Sequence, residues 1–339
     1  MTTVLRKWAS LFLGLVILLG AIGWITSSRS DEDFSIAPHS GSGVCFAFVP
    51  NRLLLATGGD DCVVKLWDLQ KREIITTFAG LDAPVRAIAF TRDGKRLAAV
   101  SAFGKIIAWN AETAEQVAIL NANYNGLGVL SFLGDSNQVI VANDRLWDLS
   151  SKSPRLVYPF GGVSGRDMAL SPDGTTIATA IQGDSSPKIW DAKTGERLFQ
   201  FEVPKGELPV AFWCATYSHD GKQIATGSME GKLQLWDTKT RLMRVGVGTG
   251  TNRMMSVQFS PDGAMVASTG ASTGAIGAIG ATYGKVKLWD SRSGRELGSV
   301  GGSFASYSAL DFSHDGSVLA AACGDGTVKI WNVRRLLDK

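Results

Sequence analysis

Val64-Lys65-Leu66-Trp67-Asp68 is a short alternating run closed by Trp-Asp, and the pattern returns at Leu233-Gln234-Leu235-Trp236-Asp237 and Val286-Lys287-Leu288-Trp289-Asp290. Alternation with a period of two is the mark of a strand with one face buried. Trp-Asp, or Trp-Asn, occurs seven times, at Trp67, Trp109, Trp147, Trp190, Trp236, Trp289 and Trp331. The steps between them are 42, 38, 43, 46, 53 and 42 residues. A period of about 40–45 residues with this signature reads as a blade of four antiparallel strands in a β-propeller.

Outward from each Trp strand, recurring turns phase the other three. An innermost strand ends in an aromatic or aliphatic residue followed by a Ser-Pro-Asp-Gly-like turn. The copies are Thr91-Arg92-Asp93-Gly94, Ser171-Pro172-Asp173-Gly174, Ser218-His219-Asp220-Gly221, Ser260-Pro261-Asp262-Gly263 and Ser313-His314-Asp315-Gly316. Asp bonds its own turn amides and Gly accepts positive φ, so these residues are turn chemistry. A second strand rich in small residues follows, then the Trp strand, then an outer strand after turns such as Ala192-Lys193-Thr194-Gly195. Only seven residues follow Trp331-Asn332, too few for a turn and a full outer strand. Phe34-Ser35-Ile36-Ala37-Pro38-His39 is therefore expected to supply the outermost strand of blade seven, a clasp that leaves no unpaired interior edge. Blade three is expected to join its second and third strands tightly through Asn143-Asp144. In blade six the Gly/Ala-rich stretch 270–284 accounts for the 53-residue step and reads as a mobile loop.

With seven phased copies, roughly residues 34–339 resemble the WD40-repeat family. The resemblance implies an all-β, seven-bladed propeller over residues 31–339. Many family blades join a His, a Ser or Thr, an Asp and the Trp in a hydrogen-bond network. Here the histidines are His39, His219 and His314, and the last two occupy the proline position of the turn. Aspartates six residues before Trp remain at Asp61, Asp184 and Asp325, whereas blade two has Phe103. The networks are accordingly expected to be largely missing. Family members also present partner-contacting side chains four and six residues before the end of each innermost strand. Carried over, the fourth positions are Val44, Arg86, Gly128, Arg166, Trp213, Met255 and Ser308; the sixth include Pro84, Ala211, Arg253 and Ser306. Asp60 and Met229 lie at the matching loops between second and third strands. The candidate partner-binding set is thus Asp60, Arg86, Arg166, Trp213, Met229, Arg253 and Met255, with Arg166, Trp213, Met229, Arg253 and Met255 on the sector of blades four to six. Trp, Arg and Met are enriched in interface cores, although Trp213 and Met255 could equally fill gaps between blades.

Residues 8–25 form an uncharged run (WASLFLGLVILLGAIGWI), about the minimum for a transmembrane helix, bracketed by Trp8 and Trp24. Arg6 and Lys7 precede it, while Arg29 is offset by Asp31, Glu32 and Asp33. The expectation is an N-terminal anchor within residues 1–30, with the propeller on the non-cytoplasmic side. The competing reading is a cleaved signal segment, giving a secreted or periplasmic protein. The net charge of +3 resides in the first thirty residues, and from Asp31 onward 31 basic and 31 acidic residues cancel. Such balance argues against nucleic acid as a partner.

Chemistry is scarce. There is no His-Glu-x-x-His and no Cys-x-x-Cys, so no metal or other cofactor is expected. Cys45, Cys62, Cys214 and Cys323 read as small hydrophobes, three of them in strands of different blades, beyond the reach of a bridge. The match Gly270-Ala271-Ser272-Thr273-Gly274 lacks the strand-to-helix context of a nucleophile elbow. The expected function is a membrane-anchored scaffold for protein partners, not an enzyme. A second reading is an extracytoplasmic assembly or sensing factor holding a peptide or small ligand at the channel mouth; a hydrolase is the third, without a convincing catalytic group.

Overall fold

The computed structural model describes residues 25–26, 33–41, 43–121, 130–134, 138–141, 145–149, 155–159, 167–180, 186–204, 210–251, 253–273, 282–301 and 306–338. They form seven antiparallel sheets arranged as a closed propeller, six of four strands and one of five. The innermost strands are Cys45–Phe48, Val85–Phe90, Leu130–Phe132, Asp167–Leu170, Phe212–Tyr217, Arg253–Phe259 and Tyr307–Phe312. Blades one to six then run outward in chain order, as the turn phasing predicts.

Both faces of a blade are apolar because small second-strand residues sit between larger neighbours. Ala56, Ala98, Ala178, Ala225, Ala267 and Ala320 are fully buried. The repeat tryptophans close the seams between blades: Trp67, Trp109, Trp236, Trp289 and Trp331 are at most 4% exposed. Burying about 200 Å² per indole is worth roughly 5 kcal/mol before ordering costs. Trp109, for example, meets Phe78 of blade one with ring centroids 5.6 Å apart.

The turns at the inner-strand ends work as their composition implies. In blade six Ser260 Oγ donates to Asp262 Oδ1 at 2.6 Å and accepts from Met265 N at 2.9 Å. Gly263 then takes φ +67°, a conformation that suits glycine. Hydrogen bonds of this kind hold the carboxyls of Asp93, Asp173, Asp262 and Asp315 below the usual carboxylate range.

Ring closure follows the expected clasp. Phe34–Ile36 pairs antiparallel with Val328–Asn332, matching Phe34 to Ile330 and Ile36 to Val328. Phe34 and Ile36 are buried in the seam between blades seven and one, beside Phe48, Leu55 and Trp67. Asp33 accepts from Asn332 N and from the Arg335 guanidinium of the short helix Val333–Leu337. Outside the clasp, Ile25–Thr26 adds a further strand, Ile25 opposite Ile36. The N-terminal transmembrane helix expected over residues 8–25 otherwise lies outside the described residues. Among the described residues no helix is long and apolar enough to cross a membrane.

Two local expectations need correction. The insertion of blade six begins and ends as a hairpin extension: Met265–Thr273 and Thr282–Asp290 stay in register out to Thr273 opposite Thr282. Ala271, Thr273 and Thr282 continue the ladder because backbone pairing needs no large side chain; residues 274–281 lie outside the described residues. In blade three, Val141 opposite Arg145 accords with the short connection, although Asn143 and Asp144 themselves lie outside the described residues.

The second correction concerns the networks. Blade one holds a complete one: Trp67 Nε1 donates to Thr57 Oγ1 at 2.9 Å, Thr57 Oγ1 lies 3.0 Å from His39 Nε2, and His39 Nδ1 lies 2.6 Å from Asp61 Oδ1. Burial holds the His39 pKa below its usual value against the pull of Asp61. A neutral ring facing a carboxylate must carry its proton on Nδ1, leaving Nε2 to accept from Thr57. The indole-to-hydroxyl part recurs at Trp190–Thr179, Trp236–Thr226 and Trp289–Ser268, each at 2.8–2.9 Å. In blade seven the equivalent residue is Ala321, and Trp331 Nε1 is buried without a hydrogen-bond partner. Ala321→Ser is therefore expected to supply the acceptor and raise stability by about 1 kcal/mol. Thermal and urea melts of this variant check it; an unchanged or lowered midpoint would contradict the assignment.

Candidate functional site

A shared backbone irregularity positions the fourth-position residues. In blades two, five, six and seven the innermost strand bulges, with register shifts between Val85 and Ala87, Phe212 and Cys214, Met254 and Ser256, and Tyr307 and Ala309. The extra residues are Arg86, Trp213, Met255 and Ser308. A bulge leaves its extra residue out of the ladder and re-aims the side chain. Arg86, Trp213 and Met255 are all half-buried, between full packing and full exposure. They lie near the strand entrances, on the face that also carries the loops between second and third strands.

Blades five and six bring two candidates into contact. The Arg253 guanidinium lies 4.5 Å from the centroid of the Trp213 indole, a cation–π stack across the seam. Met255 follows two residues on. Met229 sits at the loop of blade five, where its amide donates to Ala211 O at 2.8 Å. Glu230 accepts from Ala211 N at 3.1 Å. Loop and strand entrance are thereby pinned together, as they are by Ala102 N to Pro84 O and Gly324 N to Ser306 O.

Asp60 and Arg86 form a separate unit across the seam between blades one and two. Arg86 Nη1 donates to Asp60 Oδ1 at 3.1 Å, and Gly43 N donates to Oδ2 at 3.1 Å. A Cβ at Gly43 would lie 2.8 Å from Asp60 Oδ1 and 2.9 Å from Arg86 Nη1, so a side chain there would displace the pair. Arg166 lies outside the described residues. One residue of this face was noted in the sequence only for what it replaces: Phe103, at the loop of blade two, is 71% exposed. Its signal was an aromatic at a position held by aspartate in blades one, four and seven.

Reactive groups are muted. All four cysteines are free thiols. Burial pushes the Cys45 thiol up to about 12, and it donates to Gly58 O and Val85 O, so it holds a seam and carries no nucleophilic thiolate. Among the described residues no group of His, Cys, Asp and Glu is arranged to hold a metal. One polar row follows the inner strands: Thr216 Oγ1 donates to Gln258 at 2.8 Å, and Asp311 occupies the same position one blade further on.

The geometry defines a class: a closed ring of four-stranded blades with a strand-end tryptophan in the seams. The model named "WD domain, G-beta repeat" matches residues 32–68, 160–191, 200–237 and 294–332, each match ending just after a repeat tryptophan. The chain carries WD40 repeats at these four positions, which together make up under half of its length. It is similar to "Telomerase protein component 1" of Mus musculus, at 26% identity over 73% of this chain and 9% of that protein. It is similar to "Nuclear distribution protein nudF" of Aspergillus niger, at 24% identity over 71% of this chain and 59% of that one. "Transducin beta-like protein 3" of Bos taurus is 25% identical over 66% of this chain and 30% of its own length. The chain thus spans under two thirds of each of these relatives.

Asp311 yields a test of the inner row. Burial raises its carboxyl to about 7, against the single amide it accepts from, Phe312 N. The folded state then holds a proton that the unfolded state has released, so stability falls as pH rises from about 4 to about 7 and levels off above. Asp311→Asn removes that dependence. Its expected gain is on the order of 2 kcal/mol at pH 8 and near zero at pH 4, discounted because the residue is only half-buried. Urea melts across pH check it; a pH-independent difference would overturn the assignment.

Proposed function

We propose that this protein is a protein-interaction scaffold whose partner docks on the sector formed by Trp213, Met229, Arg253 and Met255. The observation that carries this reading is the Trp213–Arg253 stack: an amphipathic anchor beside a cation, with half-buried methionines on adjoining positions. Anchors of this kind dominate interface energies, and a rigid ring presents them at low ordering cost. The four matched WD40 repeats support a scaffold in general terms. Binding needs no reacting group, in keeping with the muted thiols. The Asp60–Arg86 pair weighs against a ligand pocket at the channel mouth, because it takes up a guanidinium such a pocket would use.

An acidic or acidic-aromatic segment fits the sector. The cation steers approach, and the indole slows release. Trp213→Ala is expected to cost about 2 kcal/mol or more in binding to a partner captured by crosslinking. Arg253→Ala is expected to cost less and to act on the salt-sensitive association rate. Affinity and melting temperature measured on the same variants decide it: a large loss of stability with affinity intact would return Trp213 to packing.

The uncharged run of residues 8–25 supports a membrane tether for this scaffold, with the propeller on the non-cytoplasmic side. Protease added to intact cells is expected to digest the propeller. Protection would reverse the topology, and release of the propeller after cleavage near Ser28 would make the segment a signal peptide.

A further inference from the structure

On the face opposite the Trp213 sector, where the inner-strand turns lie, an open-sided groove of about 480 Å³ runs between blades four and five. Its walls include Asp173, Thr176, Phe199, Tyr217 and His219, with Arg92 of blade two at its inner end. The volume is in the range of sites that seat a small ligand or a few side chains.

Three features meet in this groove. Six of the seven innermost strands end in Phe or Leu, but blade five ends in Tyr217. Its hydroxyl lies 3.1 Å from Thr176 Oγ1, a polar pair that lines the groove together with Ile189 and Phe199. The second feature is Asp173. Its Oδ1 accepts from Ser171 Oγ, Thr175 N and Thr175 Oγ1, at 2.6, 3.0 and 2.7 Å. Among the described residues no basic side chain pairs with this carboxylate. In blades two and five a lysine stands two residues after the turn aspartate and lies near it, Lys95 at 3.9 Å from Asp93 and Lys222 at 3.2 Å from Asp220. Blade four has the neutral Thr175 there, as blades six and seven have Ala264 and Ser317, but only Asp173 of these three turn aspartates lines the groove. The third is Phe199, whose ring already carries a guanidinium, that of Arg241, at 4.3 Å.

We propose that this groove is a second docking site, taking an extended protein segment through a lysine or arginine side chain paired with Asp173. The segment's apolar neighbours rest against Phe199, and the Tyr217–Thr176 hydroxyls serve its backbone. Arg92 at the inner end opposes a second cation, so isolated basic residues are favoured over basic runs. With partners on both faces the ring becomes a two-sided adaptor. The claim is independent of the Trp213 sector.

A phage-displayed random heptapeptide library selected on the Trp213→Ala chain removes that sector from the test. Enriched peptides are then synthesised and titrated by fluorescence anisotropy. They are expected to carry a single lysine or arginine and to lose about five- to tenfold in affinity against Asp173→Asn, a loss typical of a rim charge that also orients the ligand. Asp262→Asn breaks an equivalent turn aspartate outside the groove and is expected to leave affinity unchanged. Thr175→Lys copies blades two and five, keeps the turn, and is expected to abolish binding by filling the charge. Enrichment of peptides without a basic residue, equal losses in Asp173→Asn and Asp262→Asn, unimpaired binding to Thr175→Lys, or no enrichment at all would each overturn the proposal.

Discussion

A four-stranded sheet that is apolar on both faces cannot stand alone in water, and everything else in this molecule follows from satisfying that constraint. Each blade hides its faces against two neighbours, which is possible for every blade only if the row closes on itself. The repeat tryptophans are the largest side chains in those seams, and most of their indole nitrogens are met by a hydroxyl from the second strand. Closure then demands that blade seven be complete, and Phe34–Ile36 completes it across the whole length of the chain.

That ring also explains where function can sit. Interiors of the seams are committed to packing, so specificity has to come from residues that escape the ladder. The bulges at Arg86, Trp213 and Met255 are such escapes, turning side chains out of the strand at the edge of a face. Their neighbours divide them by role. Arg86 is drawn into an ion pair with Asp60 and joins two blades, whereas Arg253 lies over an indole and keeps its charge at the surface.

Blade number, strand order and the clasp were legible in the chain because they rest on local turns and a fixed repeat length. Features that depend on register were not. The pairing of Ala271 with Gly284 in a stretch of glycine and alanine has no hydrophobic signature, so the hairpin extension read as loop. The network of blade one was overlooked because His39 precedes Trp67 by 28 residues and enters the blade from the clasp; its cue was a histidine at the end of the stretch that replaces an outer strand. Bulges leave no mark in the sequence, so positions inherited from a family resemblance located Trp213 and Arg253 without explaining why they project. Tyr217 passed as one more strand-end aromatic until its hydroxyl was seen against Thr176.

The clasp has a consequence in time. Its two strands are separated by nearly the whole chain, so at roughly 5–20 residues per second Phe34–Ile36 emerges from the ribosome some 15–60 s before its partner. For that interval Phe34 and Ile36, only 8% and 1% exposed in the finished ring, have no seam to enter. A long apolar edge left waiting would recruit other chains. This one is three residues long and preceded by Asp31, Glu32 and Asp33, a charged guard that discourages strand addition from outside. Asp33 then ends its guard duty by binding Arg335, made 302 residues later.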